Sequence, residues 1–280
     1  MPDKPRHASQ YRSGQAALVR RTCLYLATKL GDLMDEVVVV GGTVPSLLVD
    51  QARLPEGVPA HAGTIDLDIG LELGLLAGGR YHALASRLRS AGFSPDKNER
   101  GRPTRQRWRA GDGTSATVDF LIPPTSTNRK AARIQNVEKD FAAVITPGLE
   151  LAFRDRRLIR IKGMTTRGEK ADCEIGVCGP GAYVVLKALA FAGRGENKDA
   201  YDLFYIVRNC GAGVDEVAAS LRPLMPDKDA MRAVEVLKKS FLDIDGTGPR
   251  RVAEFVSEGP DEALQADVVS HIRHLLELLH

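Results

Sequence analysis

The stretch from Val37 to Leu71 restricts the fold of this chain more than any other, because it combines two predicted strands with a glycine turn. Its first strand, Val37–Val40, is a run of four valines typical of a strand that is buried on both faces. In the second, TIDLDIGL, Asp66 and Asp68 lie on one side because side chains alternate along a strand. Two crowded carboxylates on a half-apolar strand repel each other and are poor core material. Since a divalent cation would relieve the repulsion, the sequence predicts a metal site here.

A third carboxylate, Asp119, lies in a later predicted strand with the sequence TVDFLIP. This strand (115–122) and the preceding one (104–109) are joined through Gly111-Asp112-Gly113, and the Asp-Gly pair is a hairpin signal. If the strand of Asp119 lies beside that of Asp66 and Asp68, three carboxylates converge on one sheet face. Such a set suits one or two Mg²⁺ ions, which take oxygen ligands and leave room for substrate phosphates. The structural alternative is that Asp119 is a solvated strand residue.

The turn Gly41-Gly42-Thr43 separates the two strands and precedes a short predicted helix, for which Thr43 is a suitable N-cap. Glycines allow the backbone to approach a phosphate closely, and the helix N-terminus that follows favours an anion. Tight turns also require glycine for purely structural reasons. The turn gains functional meaning from its position one loop before the paired acids.

Composition limits the classes of protein to consider. With 280 residues, 43% of them hydrophobic, the chain can bury a sizeable core and has room for two domains. The formal net charge of +3 is too small to indicate nucleic-acid binding by itself, and the four cysteines lack zinc-type spacing. The N-terminal residues lack the apolar run of a signal peptide, and no stretch approaches the ~20 apolar residues of a membrane span. We therefore expect a cytoplasmic protein with no membrane partner.

The pattern of the chain changes near Gly179-Pro180. Strand-like and helix-like segments are mixed before this point, including a β-type run at 149–153, and six segments of helical spacing follow it. The predicted divisions are a flexible tail at 1–12, an α/β domain at 13–178 and a C-terminal helical domain at 179–280. The fold class is therefore predicted to be α+β, a small mixed-sheet domain followed by helices.

Lys187 is unusual because it lies within the otherwise apolar helix AYVVLKALAFAG. A charge there requires a partner, either a triphosphate or a carboxylate, unless the lysine extends past its own stem to the surface. Asp199 and Asp202 lie three residues apart on the next predicted helix and so share a surface. A Lys187–Asp202 pair would be structural and would still be compatible with a catalytic role. His61, in the loop before the strand of the paired acids, could contact substrate, but we favour a surface position for it.

The segments GGTVPSLL and TIDLDI resemble the motif of the DNA polymerase β-like nucleotidyltransferase superfamily. The segment VLKALAFAGRGENKDAYDLFYIV is similar to the signature of AbiEii/AbiGii toxin-like nucleotidyltransferases, often the toxin half of bacterial toxin–antitoxin systems. This resemblance implies that Asp66 and Asp68 are metal ligands and that Asp119 is a possible third. It also implies that Lys187 contacts a nucleotide phosphate and that Asp202 is a second essential acid.

The expected function follows from this resemblance. It is Mg²⁺-dependent transfer of a nucleotidyl group from a nucleoside triphosphate to RNA, such as the 3′ end of tRNA, in a protein with a cognate antitoxin. Two basic runs could hold RNA phosphates, one at Arg105, Arg107 and Arg109 and the other between Arg154 and Lys162. Such charges could instead only protect strand edges from aggregation. Transfer to a small molecule or a protein side chain, and an inactive binding module, are the alternative functions.

Overall fold

The computed structural model describes residues 5–72, 74, 80–111, 113, 115–125, 132–138 and 140–279. It confirms the predicted α+β class, with a mixed nine-stranded sheet and a series of C-terminal helices in these residues. The chain forms two compact units. The sheet unit consists of Ser13–Thr43 and Gly63–Cys178, and the helical unit consists of residues 5–12, Val44–Ala62 and 179–279.

All the strands that the structure describes belong to the sheet unit. They are β1 (Val37–Val40), β2 (Asp66–Leu71), β3 (Phe93–Lys97), β4 (Pro103–Ala110), β5 (Thr117–Ile122), β6 (Ile134–Glu138), β7 (Phe141–Ile145), β8 (Arg156–Met164) and β9 (Lys170–Cys178). Their order is β3-β4-β5-β2-β1-β9-β8, and β7 pairs with both β5 and β6. The central strand β2 is antiparallel to β1 and parallel to β5, which places the two motif strands and the strand of Asp119 side by side.

The sheet unit has its core where the sequence pattern predicts it. The four valines of β1 are at most 2% exposed, which confirms a strand buried on both faces. On β2 and β5 the apolar residues alternate with the acids, so that Leu67, Ile69, Val118 and Phe120 are buried. Within its described residues, the helices of this unit are α1 (Ser13–Leu30), α3 (Arg80–Ser90) and α4 (Leu149–Arg154). Because of the alternation on β2 and β5, their acids lie on the sheet face opposite the one that carries these apolar residues.

Strand β4 contains a bulge. Trp108 pairs with Pro95 of β3, whereas Thr104 pairs with the adjacent Asp96, so that residues 105–107 have no counterpart on β3. The completely buried Trp108 fixes the strand at this point, and its indole nitrogen donates to the carbonyl oxygen of Arg105 at 3.0 Å. A bulge bends its strand and re-aims a side chain. Here the affected residue is Arg107, which pairs with Asp119 of β5.

The helical unit contains the remaining helices. They are α2 (Val44–Leu48), α5 (Pro180–Arg194), α6 (Asn197–Asn209), α7 (Val214–Leu221), α8 (Lys228–Phe241), α9 (Thr247–Ser257) and α10 (Glu262–Leu278). Helix α5 lies centrally against α6, α7 and α8, and its Phe191 ring lies 5.2 Å from that of Phe241. The six C-terminal helices confirm the change of pattern near residue 179. No helix in the described ranges is long and apolar enough to span a membrane.

Several elements differ from the sequence prediction. The predicted strand at 149–153 is wrong, because Leu149–Arg154 is the helix α4, which follows Gly148 in a left-handed conformation. Its short Leu-Glu-Leu-Ala run suits either structure, and burial of Leu149 and Leu151 is compatible with both. Strand β3 was not predicted. Within the predicted hairpin turn, Asp112 lies outside the described residues.

The predicted division between residues 178 and 179 coincides with a boundary between the units. Two segments, however, belong to a different unit from the one that the predicted domain bounds give them. Val44–Ala62 belongs to the helical unit, although it lies within the predicted α/β domain. Part of the predicted flexible tail also belongs to that unit. Within it, Ala8–Gln10 forms a 3₁₀ turn, and the His7 ring bonds to the carbonyl oxygen of Glu254 at 2.9 Å.

Candidate functional site

Three carboxylates lie on one face of the sheet unit, and we call Asp66, Asp68 and Asp119 the acid face. Asp68 and Asp119 are direct neighbours in the parallel pairing of β2 and β5, and Asp66 precedes Asp68 by two residues. Residues paired in this way point to the same side of a sheet. The two strands are adjacent, which is the condition under which the sequence placed the three carboxylates on one sheet face. Asp66 is only 8% exposed, so its charge is held largely out of water.

The glycine turn contacts the acid face directly. Val40 pairs with Asp68 across β1 and β2, which brings Gly41 beside the Asp68 carboxylate. Gly41 has a φ of +70°, and a methyl group at this position would overlap that carboxylate. Glycine is therefore required here both for backbone conformation and for space. Thr43 is buried at the end of the turn, and the helix that follows is only five residues long.

Asp66 is held by a residue that the sequence reasoning missed. The hydroxyl of Thr64 donates to Asp66 Oδ1 at 3.0 Å, and Thr64 is itself only 5% exposed. A hydrogen bond from a buried hydroxyl stabilises the ionised form of a carboxylate and fixes its orientation. The available signal was the spacing, because a threonine two residues before Asp66 points to the same side of an extended chain.

Arg107, which the sequence grouped with Arg105 and Arg109 as a basic run, contacts the acid face. Its Nε lies 2.7 Å from Asp119 Oδ1, its Nη2 lies 2.5 Å from Asp119 Oδ2, and Nη2 is 3.6 Å from Asp66 Oδ2. The hydrogen bonds to Asp119 raise the pKa of the guanidinium despite partial burial, and the charges of Asp66 and Asp68 raise it further. Arg107 thus acts as an internal counter-ion for all three acids.

The donor atoms of the acid face fit a magnesium ion. Asp66 and Asp68 offer carboxylate oxygens, the ligands of a hard cation, and Mg²⁺ is commonly held by one or two carboxylates together with substrate phosphates. The close fit of Asp68 against Gly41 fixes one of these carboxylates in place. Within the described residues no three side chains of His, Cys, Asp or Glu are arranged to hold a metal together. Asp119 as a third ligand stays a prediction, and its carboxylate is bound to Arg107.

Comparisons of this chain with protein-family models and with curated proteins found no match. The resemblance to AbiEii/AbiGii toxin-like nucleotidyltransferases therefore rests on the motifs alone. Membership of that family stays a prediction.

The helical unit holds the other predicted site residues in a buried charge cluster around Lys187. The Lys187 ammonium lies 2.7 Å from Asp202 Oδ2 and 3.1 Å from Asp199 Oδ1. Lys187 is only 7% exposed, so the interpretation as a surface lysine is wrong, whereas the predicted pairing with Asp202 is present. Burial alone would lower the pKa of Lys187, but Asp202 and Asp199 outweigh it and raise the pKa. A contact of Lys187 with a nucleotide phosphate stays a prediction.

Asp202 is the centre of this cluster and is completely buried. Its Oδ1 lies 2.6 Å from the Lys198 ammonium and 2.8 Å from His61 Nε2. Burial would raise the pKa of Asp202, but the charges of Lys187 and Lys198 outweigh it and lower the pKa. The carboxylate is therefore ionised and fully surrounded, as a buried charge must be. Asp202 as an essential acid stays a prediction.

His61 is not the surface residue that we expected. Its side chain is completely buried, stacks on Tyr201 with ring centres 5.3 Å apart, and meets the Tyr205 ring at 4.9 Å. Burial and the nearby Lys198 charge lower its pKa to about 4, although the hydrogen bond to Asp202 opposes this. The ring is therefore neutral at pH 7, and Nε2 carries the hydrogen that it donates to Asp202. No local sequence pattern indicated this contact, because 141 residues separate the partners.

The two basic runs have different surroundings. Arg105 and Arg109 of β4 are exposed, as are Arg100 and Arg102 just before them. In the second run Arg156 donates to the carbonyl oxygens of Met34 and Asp35, and Arg160 makes two hydrogen bonds with Asp172. Part of the second run therefore stabilises β8, a strand at the end of the sheet order, whereas Arg105 and Arg109 of β4 present charge to solvent.

Proposed function

We propose that this chain is a cytoplasmic nucleotidyltransferase that moves a nucleotidyl group from a nucleoside triphosphate to an acceptor hydroxyl, with Mg²⁺ bound by Asp66 and Asp68. In this reaction the acceptor oxygen forms a bond to the α-phosphorus, the bond to the β-phosphate oxygen breaks, and pyrophosphate leaves. When bound, Mg²⁺ neutralises charge on the phosphate oxygens.

The close fit between Gly41 and the Asp68 carboxylate carries this proposal. A paired-acid strand alone is compatible with many structural roles. Here the Asp68 carboxylate also fills the space beside Gly41. The two segments that resemble the nucleotidyltransferase motif are therefore in direct contact, which supports the proposal. A phosphate next to the Gly41-Gly42 backbone would lie beside the metal-binding carboxylates.

The residues of the acid face contribute by fixing positions before the substrate arrives. Thr64 orients Asp66, and Gly41 admits the carboxylate of Asp68. Rigid ligands lower the barrier because the reacting groups are brought into line at little further entropic cost. Positioning and charge neutralisation supply most of the rate in phosphoryl transfer of this kind.

We propose RNA as the acceptor class. The exposed arginines of β4 and of the preceding turn support this, because cations of this kind bind phosphates without reading sequence. The 3′ end of tRNA and a role as the toxin of a toxin–antitoxin pair come from the motif resemblance. On this proposal, expression of the chain without its antitoxin arrests the growth of a bacterial host, and Asp68→Asn relieves the arrest.

The proposal is tested by incubating the purified protein with total RNA and a nucleoside triphosphate labelled at the α-phosphorus. Label is expected to enter RNA, while label at the γ-phosphorus is expected to appear only in pyrophosphate. Label that enters protein or a small molecule would contradict RNA as the acceptor but would still agree with nucleotidyl transfer. Transfer from the γ-position would contradict nucleotidyl transfer itself.

A further inference from the structure

The position of Arg107 on the acid face raises the question of what this cation does at a site for another cation. Arg107, Asp119 and Asp68 lie in one row across β4, β5 and β2, because Arg107 pairs with Asp119 and Asp119 pairs with Asp68. The guanidinium spans Asp119 and Asp66, at 2.5 Å from one carboxylate and 3.6 Å from the other. It therefore occupies the space between two of the three acids.

The geometry points to Arg107 as an internal competitor of the divalent cation, with Asp119 as the residue that anchors Arg107 and not as a metal ligand. This inference rests on the proposed function, since it concerns the same metal site. In it, Asp66 and Asp68 bind the metal, and Arg107 sets how tightly they do so by holding a positive charge beside Asp66.

The hydrogen-bond geometry supports the anchoring role of Asp119. Two parallel bonds, from Nε and Nη2 to the two oxygens of one carboxylate, form the bidentate arrangement that is strongest for arginine. The side chains of Arg107 and Asp119 are each 16% exposed, so little water screens them. Each Asp119 oxygen is bonded to the guanidinium, so a metal ion at this carboxylate would lie beside a positive charge that repels it.

The contact with Asp66 is of a different kind. At 3.6 Å, Nη2 of Arg107 is too far from Asp66 Oδ2 for a hydrogen bond, yet close enough for a strong charge interaction at a largely buried site. A cation that binds Asp66 must share this carboxylate with Arg107. Arg107 lies within the bulge of β4 at residues 105–107, and a bulge changes the direction of the side chains that it contains.

This arrangement has a consequence for the unliganded protein. Without Arg107, the three carboxylates of the acid face would lie together with no guanidinium among them, which disfavours folding. A resident arginine removes this cost when no metal is bound. It also weakens binding of a bare ion, so that occupancy depends more on the phosphates that arrive with the metal.

The test measures binding of Mn²⁺ alone, without nucleotide, by calorimetry and by the electron paramagnetic resonance signal of the free ion. Mn²⁺ is used because it also takes carboxylate oxygens. Removing one positive charge beside Asp66 in Arg107→Gln is expected to tighten Mn²⁺ binding about tenfold. The matched control is Arg109→Gln, which changes the net charge equally at an exposed position on the same strand. It is expected to change binding less than about twofold.

A double variant distinguishes Asp119 as an anchor for Arg107 from Asp119 as a metal ligand. It also avoids the unpaired carboxylate that Arg107→Gln alone would leave. In Arg107→Gln with Asp119→Asn, no orphaned charge is left in the pair. We expect this double variant to bind Mn²⁺ at least as tightly as the wild type. Binding weaker than wild type would show that Asp119 is itself a ligand, and would overturn the inference. So would an Mn²⁺ affinity of Arg107→Gln equal to that of Arg109→Gln.

The failure of this inference is distinguishable from failure of the proposed function. Asp68→Asn is expected to abolish Mn²⁺ binding in both the wild-type and the Arg107→Gln background. If it does so while Arg107→Gln has no effect, the metal site stands and the competitor role is wrong. If Mn²⁺ binding survives Asp68→Asn, the proposed metal site fails, and the inference fails with it.

Discussion

At the scale of single residues, the acid face depends on Gly41 because the space beside this glycine is filled by Asp68. Gly41 meets two separate requirements, a positive φ and close contact with a carboxylate. The contact can be tested by comparison with a glycine that has only the positive φ. Thr64 and Arg107 act in the same local way, each by fixing one acid. These short contacts are what give the acids defined positions.

Substitution of Gly41 by alanine is expected to abolish label transfer. The matched control is Gly101→Ala, which has the same φ of +70° but no atom within 4 Å of the new methyl group. Both variants should lose about 1 kcal/mol in the free energy of unfolding from backbone strain, and Gly41→Ala should lose more, because its methyl group also overlaps the Asp68 carboxylate. Only Gly41→Ala should lose activity, because only there is an acid displaced. Equal activity and equal stability in the two variants would contradict the role of this contact.

His61 is expected to make stability depend on pH between its unfolded and folded pKa values. Folding lowers this pKa from 6.5 to about 4, so the unfolded chain takes up a proton first as the pH falls. The stability that neutral His61 contributes is fully present above pH 6.5 and is lost as the pH falls toward 4. This loss lowers the free energy of unfolding by roughly 3 kcal/mol. The measurement is urea unfolding at about pH 7 and about pH 4.5.

The variant that isolates this effect is His61→Gln. Its side-chain amide can still donate to Asp202 but does not titrate, so it should lose less stability than the wild type over this range. His82→Gln, at an exposed position on α3, is the control and should follow the wild type. A wild-type slope in His61→Gln would show that other groups cause the pH dependence.

At the scale of elements, periodicity and turn chemistry predicted most of the fold. The β-branched run of β1, the alternation of β2 and β5, and the amphipathic spacing of the C-terminal helices each reflect burial, which a local pattern records. The strand predicted at 149–153 is wrong because a short run with leucine and alanine suits a strand and a helix equally. Short apolar segments acquire their structure from neighbours that the local sequence does not specify.

Two glycines of α5 provide a test of helix packing with opposite expected signs. A methyl group on Gly181 would lie 2.5 Å from a backbone atom of Ser220, near the end of α7, so Gly181→Ala should destabilise the protein by about 1–3 kcal/mol. Gly193 has nothing within 4 Å, and Gly193→Ala should stabilise its helix by up to about 1 kcal/mol. The measurement is the midpoint of thermal unfolding. Shifts in the same direction would contradict the close approach of α5 and α7.

At the scale of the whole molecule, the paired acids and the glycine turn were predictable because they lie within 30 residues of one another. The distant partners of Asp119 and Asp202 were not. Arg107 reaches Asp119 through strand pairing, and His61 reaches Asp202 across 141 residues. The assignment of Val44–Ala62 to the helical unit likewise follows from packing of distant segments. Local sequence indicates which residues carry charge, and tertiary structure determines what neutralises them.

The central claim is that Asp66 and Asp68 hold the metal that nucleotidyl transfer requires, and Asp68→Asn tests it most directly. The measurement is transfer of α-labelled nucleotide in the presence of Mg²⁺, with Asp172→Asn as the matched control at an exposed carboxylate of the sheet unit. Circular dichroism and a thermal melt establish that both variants are folded. We expect Asp68→Asn to be inactive and Asp172→Asn to be fully active. Full transfer by folded Asp68→Asn would contradict the account.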